Sequence, residues 1–110
     1  MRHWNLHEIP TPDGTRSPVV LDSEEGTARA VMIGIGPGQE LGDHQVKEYT
    51  FVLVVDGRVQ AQAGEESVEA ASGTLLRFMP DERRSLSSAD GARILLLLAP
   101  WPGPGHYRGG

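Results

Sequence analysis

From Pro18 onward the chain alternates short apolar stretches with turn-forming residues, and no segment carries a convincing helical period. Apolar residues recurring every second position mark half-buried strands, because successive side chains point to opposite faces. The pattern predicts strands over Pro18–Leu21, Ala28–Ile35, Glu48–Val55, Arg58–Ala63, Ser67–Ala70, Thr74–Met79, Arg83–Ser88 and Ala92–Ala99. In the third of these, Tyr49, Phe51, Leu53 and Val55 alternate with Glu48, Thr50, Val52 and Val54, and β-branched or aromatic residues dominate. Asp56-Gly57 follows, a dipeptide suited to the positive φ angles of a two-residue hairpin. Many short strands with turn signals between them argue for an all-β sandwich or barrel of about eight strands.

Residues 1–16 are polar and broken by Pro10, Pro12 and Gly14, so they are expected to form an N-terminal arm. The barrel domain is expected over 17–100, and a Pro/Gly-rich tail over 101–110, where Pro100, Pro102 and Pro104 remove backbone donors. Ile94-Leu95-Leu96-Leu97-Leu98 is apolar on both faces, whereas an antiparallel strand ordinarily keeps one face wet. Either the arm and the Trp101 tail cover that second face, or a second copy of the chain does. The homodimer is the sharper expectation.

At 110 residues the chain is one domain with one core, and its apolar share of 38% with 14 Gly and 8 Pro suits turns better than long helices. The formal charge is −5 with no basic stripe, which leaves a nucleic-acid partner without its phosphate contacts. There are no cysteines, so disulfides, thiolate metal sites and a cysteine nucleophile are excluded. The first residues lack the apolar core of a signal peptide, and Ile94–Ala99 is too short to span a bilayer. A cytoplasmic protein with no membrane partner is the expectation.

The stretch from Gly38 to Gly57 follows the frame G-x5-H-x-V-x3-T-x6-G, with Gly38, His44, Val46, Thr50 and Gly57 at its fixed positions. It resembles the first motif of the cupin superfamily, G-x5-H-x-H-x3-E-x6-G. Gly73, Met79, Asp81, Arg84 and Ser88 occupy the places of the second motif, G-x5-P-x-G-x2-H-x3-N, with Pro80 shifted by one. The resemblance implies a cupin-type double-stranded β-helix, the jelly-roll barrel, over about residues 17 to 100. Metal-binding cupins hold Fe, Mn, Ni or Zn with two His and a Glu of the first motif and a His of the second. Here those four places hold His44, Val46, Thr50 and Arg84, and one of the four is a ligand type.

If residues 44 to 54 are extended, His44, Val46, Glu48 and Thr50 share a face, polar residues toward the mouth. His44 and Glu48 could hold a hard divalent ion loosely. Arg84 opposes this, because a permanent guanidinium repels a cation and matches a carboxylate. A Glu48–Arg84 ion pair facing His44 is the simpler arrangement. The favoured expectation is a small single-domain cupin without bound metal, taking a small molecule, an anion where Arg84 sets the charge, with Arg77 as a second contact. His44, Glu48, Thr50, Arg84 and Arg77 are the candidate ligand contacts. His44 is also the candidate general base, since imidazole titrates near neutrality. The alternative is a metal-dependent dioxygenase or isomerase using His44 and Glu48. His3, His7 and His106 are expected on the surface.

Overall fold

Strand pairing in this chain depends on one long strand that serves two sheets. The structure, a computed structural model, describes residues 1–44 and 46–105, the side chains of Asp43 and His44 excepted. His106 and the rest of the expected tail beyond residue 105 lie outside the described residues. Among the described residues, a 3-10 turn at Leu6–Glu8 precedes eight strands: β1 Val19–Glu24, β2 Ala28–Ile35, β3 Glu40–His44, β4 Tyr49–Ala63, β5 Glu66–Ala71, β6 Leu75–Phe78, β7 Arg84–Ser87 and β8 Ala92–Ala99. All pairings are antiparallel, in the order β1-β2-β8-β4-β7-β3, with β5 and β6 also pairing along β4. Strands distant in sequence are thus neighbours in space, the wrapped connectivity of a jelly roll.

The strand count agrees with the sequence pattern, but two elements differ. Glu40–His44 forms β3, which the alternation does not announce because Gly42 and charged residues interrupt it. The hairpin expected at Asp56-Gly57 does not form, and the chain runs straight through as β4. Gly57 does adopt a positive φ of 83°, yet the conformation serves a bulge. The register of β4 against β8 slips between Val54 and Asp56, and after Gly57, which still pairs with Ala92, β4 leaves β8 and pairs with β5 and β7. A Cβ on Gly57 would stand 2.3 Å from Gly91 O and 2.8 Å from Ala92 Cα, so the sheets approach there as backbone on backbone.

The inner faces follow from the alternation. Val31, Ile33 and Ile35 of β2, Val52 and Val54 of β4, and Ile94 of β8 are buried together. Phe78 of β6 joins them on the same sheet, and Val59, Ala61 and Leu86 close the core from the other side. Each fully buried Val or Ile contributes about 1.5–3 kcal/mol, so this face holds the two sheets together.

The outer face of β8 is covered in part by the arm, through polar contacts. Arg93 donates from Nη1 to Ile9 O at 2.9 Å and from Nη2 to His7 O at 3.2 Å, while Nε donates to Asp56 Oδ2 at 2.7 Å. The Arg93 hydrogen bond holds the Asp56 carboxyl below its ordinary range, with the Arg93 and His7 charges in support and burial opposing. Gly14 N–H donates to Gly34 O at 3.1 Å. The remaining outer face exposes Leu75 (60%) and Leu97 (36%) beside half-buried Phe51, Leu53 and Leu95. The segment after β8 also folds back: Gly26 N–H donates to Trp101 O at 2.6 Å, and Arg29 stacks 5.0 Å from the Trp101 ring centre. No helix among the described residues is long and apolar enough to cross a membrane.

Candidate functional site

The candidate site forms where the start of β4, the start of β7 and the segment between β3 and β4 meet. The backbone of His44 ends β3 and pairs with Arg84. Its side chain, the expected base or ligand, lies outside the described residues. Lys47 Nζ lies 2.6 Å from Asp81 Oδ1, and Asp81 N–H donates to Val46 O at 2.8 Å. These contacts fasten the 46–48 segment to the turn after β6.

Arg84 opens β7, whose alternation places Arg84 and Leu86 inward, with Ser88 buried just beyond its end. Only 8% of Arg84 is exposed. Its Nη2 donates weakly to Thr50 Oγ1 at 3.4 Å, and its guanidinium lies 5.3 Å from the Phe78 ring centre. Nη1 is buried with no hydrogen-bond partner. Burial pushes the guanidinium's pKa down, and the nearby Glu82 and Glu48 charges push it back up. The group remains a cation near neutrality.

The direct Glu48–Arg84 pair expected from the sequence is corrected. Glu48 is fully buried, but its Oε2 accepts from Gly103 N–H at 2.8 Å. It therefore acts on Arg84 as a nearby charge, while the contact itself goes to a backbone donor of the returning chain. The extended face from 44 to 54 also breaks, since β3 ends at His44 and β4 begins at Tyr49. Thr50 is buried on the inner face as expected. Arg77 does not join Arg84: opposite Phe51 on the outer face, it borders a separate hollow of about 100 Å³ with Glu66, Val68 and Glu82.

Inside the barrel a cavity of about 250 Å³ is lined by Ile33, Leu41, Val46, Leu86, Leu96 and Leu98, with Gly42, Thr15 and Arg84. Arg84 is the charged side chain among its described lining residues. The apolar walls escaped the motif-based search, although inward alternation of β2, β7 and β8 carries them. Thr15 had no such signal, because nothing local shows that the arm returns to the barrel.

No family model matches the sequence, and no curated protein matches it. Solved structures match by shape. A conserved protein of unknown function from Streptococcus pyogenes superposes with a TM-score of 0.73 at 15% identity, covering 88% of this chain and 85% of that one. A cupin-family protein with a double-stranded β-helix fold from Methanocaldococcus jannaschii gives 0.69 at 14% identity, over 82% and 85%. This chain has the cupin fold. The same fold serves the DMSP lyase DddQ of Ruegeria pomeroyi, with a TM-score of 0.70 at 13% identity over 74% of this chain and 45% of that one. Activity therefore has to be argued from the site of this chain and not from its shape.

The metal set of metal-binding cupins does not fit these residues. Val46 brings methyl groups to the cavity, Thr50 accepts from a guanidinium, and Arg84 places a buried cation where a His ligand would stand. Among the described residues no group of three His, Cys, Asp or Glu could hold a metal ion. Among the described residues the barrel instead presents one buried positive charge, with Nη1 unpartnered, against apolar walls.

The Gly103 contact carries a measurable consequence. A Cβ there would stand 2.5 Å from Lys47 O and 3.0 Å from Glu48 Oε2, so Gly103→Ala must lift the chain off Glu48. Overpacking and loss of a donor to a buried carboxylate together are expected to cost about 2–3 kcal/mol. Urea denaturation measures it, and an unchanged midpoint would show that the contact contributes nothing.

Proposed function

We propose that this cupin binds a small anionic molecule inside its barrel, anchored by Arg84 and without a bound metal. The observation that carries this reading is the Arg84 guanidinium, 8% exposed, with Nη1 unpartnered beside an apolar cavity. A buried cation with an unpartnered donor is costly, and the guanidinium fork matches a carboxylate better than any neutral group. An anion entering the cavity relieves both deficits. Glu48 and Glu82 lower the cost of the empty state by their charge, yet neither occupies Nη1.

Thermal unfolding in sodium acetate, against sodium chloride at equal ionic strength, tests this. At ten times its Kd the ligand stabilises by about 1.4 kcal/mol, a rise of about 5–10 °C for a domain of this size. Arg84→Met is expected to abolish the rise, Arg84→Lys to reduce it, and the outer-face Arg77→Met to keep it. Equal protection in Arg84→Met would overturn the reading. Metal analysis of tag-free protein is expected to give far less than one ion per chain. Stoichiometric metal lost in His44→Ala would overturn the metal-free half.

A homodimer across the outer face is part of the same proposal. Leu75 and Leu97 are exposed on the same outer sheet face, on the two strands that flank β4, and a two-fold axis lets such a patch cover itself. Light scattering is expected to show a dimer for the natural protein and a monomer for Leu97→Glu. A dimer unaffected by that charge would place the interface elsewhere.

A further inference from the structure

The cavity beside Arg84 discriminates among anions. Its described lining carries one cation, and the rest of its wall is Ile33, Leu41, Val46, Leu86, Leu96 and Leu98, apart from Gly42 and Thr15. A second negative charge would be desolvated there with no second cation in the described lining to pair it, which disfavours phosphate esters and dicarboxylates. Hydroxyl-rich ligands would lose water against these side chains and, among the described lining residues, regain hydrogen bonds only at Thr15 and Arg84. A hydrocarbon body meets no such penalty and gains from burial.

The long axis of the cavity is legible in the strand registers. Thr50, the Arg84 contact, lies opposite Leu98, and Ile33 lies opposite Ile94. Four residues of β8 separate these levels, about 13 Å at strand spacing. Leu96 lies between them on the inner face. At about 30 Å³ for each water-sized group, about 250 Å³ accepts on the order of eight heavy atoms. This is smaller than the pockets of about 300–1,000 Å³ that hold drug-sized ligands.

We infer that the ligand is an aliphatic monocarboxylate of about four to six carbons. Its carboxylate pairs with the Arg84 guanidinium where that side chain lines the cavity, and its chain runs past Leu86 and Leu96 toward Ile33. This rests on the anion reading above and names the class of molecule that the same site takes. Phe78 and Thr50 hold the guanidinium in place, so the head group is fixed and chain length decides affinity.

Calorimetric titration of the full chain with formate, acetate, butyrate, hexanoate, decanoate, succinate and 1-hexanol tests the inference. Affinity is expected to rise about fourfold per methylene from acetate to hexanoate, the factor for burying one CH₂, and to fall at decanoate. Succinate is expected to bind at least about tenfold more weakly than butyrate, its second charge being unpaired. Hexanol is expected to bind at least about tenfold more weakly than hexanoate, having no charge for Arg84. In Leu96→Ala the preferred chain is expected to lengthen, while the natural protein's own series decides the matter if that variant does not fold. Formate and hexanoate binding equally, or succinate matching butyrate, would overturn this inference and leave the anion reading standing. Hexanol matching hexanoate would overturn it too. An absence of Arg84-dependent binding by every acid would overturn both.

Discussion

The bend of β4 at Gly57 is the constraint on which the barrel depends. A single strand from Tyr49 to Ala63 pairs with β8 and β6 before the bend and with β5 and β7 after it. Two separate hairpins could have made two sheets, but nothing would then oblige their apolar faces to meet. The bulge turns the strand without interrupting its backbone, so that Val52 and Val54 face the same interior as Val59 and Ala61. The close approach to Gly91 and Ala92 leaves room for no side chain at the pivot. Because the interior is enclosed in this way, a charge carried by its wall is removed from water.

That enclosure gives Arg84 its meaning. On the surface a guanidinium is a solvated charge of little consequence, but in this position it is held by an aromatic face, a weak hydroxyl contact and the fields of two carboxylates. A direct ion pair with Glu48 would have spent the fork on a permanent partner. Glu48 accepts from Gly103 instead, so the negative charge steadies the cation from a distance and leaves a donor unused. Buried pairs are seldom worth more than apolar packing of the same volume. On the proposed reading, a ligand supplies the partner that Arg84 Nη1 lacks.

The strands were legible in the sequence wherever alternation was clean. Ala28–Ile35 and Ala92–Ala99 stand where the pattern puts them, because their alternation buries one face in the core. Gly57 was recognised as a residue needing positive φ, but the same conformation serves a hairpin and a bulge, and only long-range pairing decides between them. The motif positions located Thr50 and Arg84 at the barrel wall. They could not show that Arg77 faces outward or that Glu48 meets Gly103, since strand phase and the path of the returning chain are tertiary facts. Thr15 and Trp101 likewise join the body of the molecule from segments that local composition marks as peripheral.

The central claim is that the Arg84 guanidinium is held in the barrel for an anion. Nitrogen-15 NMR of arginine-labelled protein during a butyrate titration tests it most directly, because it observes the group itself. The account predicts that the Arg84 side-chain resonances move saturably while those of Arg77 and Arg93 stay in place. Unmoved Arg84 resonances, at butyrate concentrations that alter the rest of the spectrum, would contradict it.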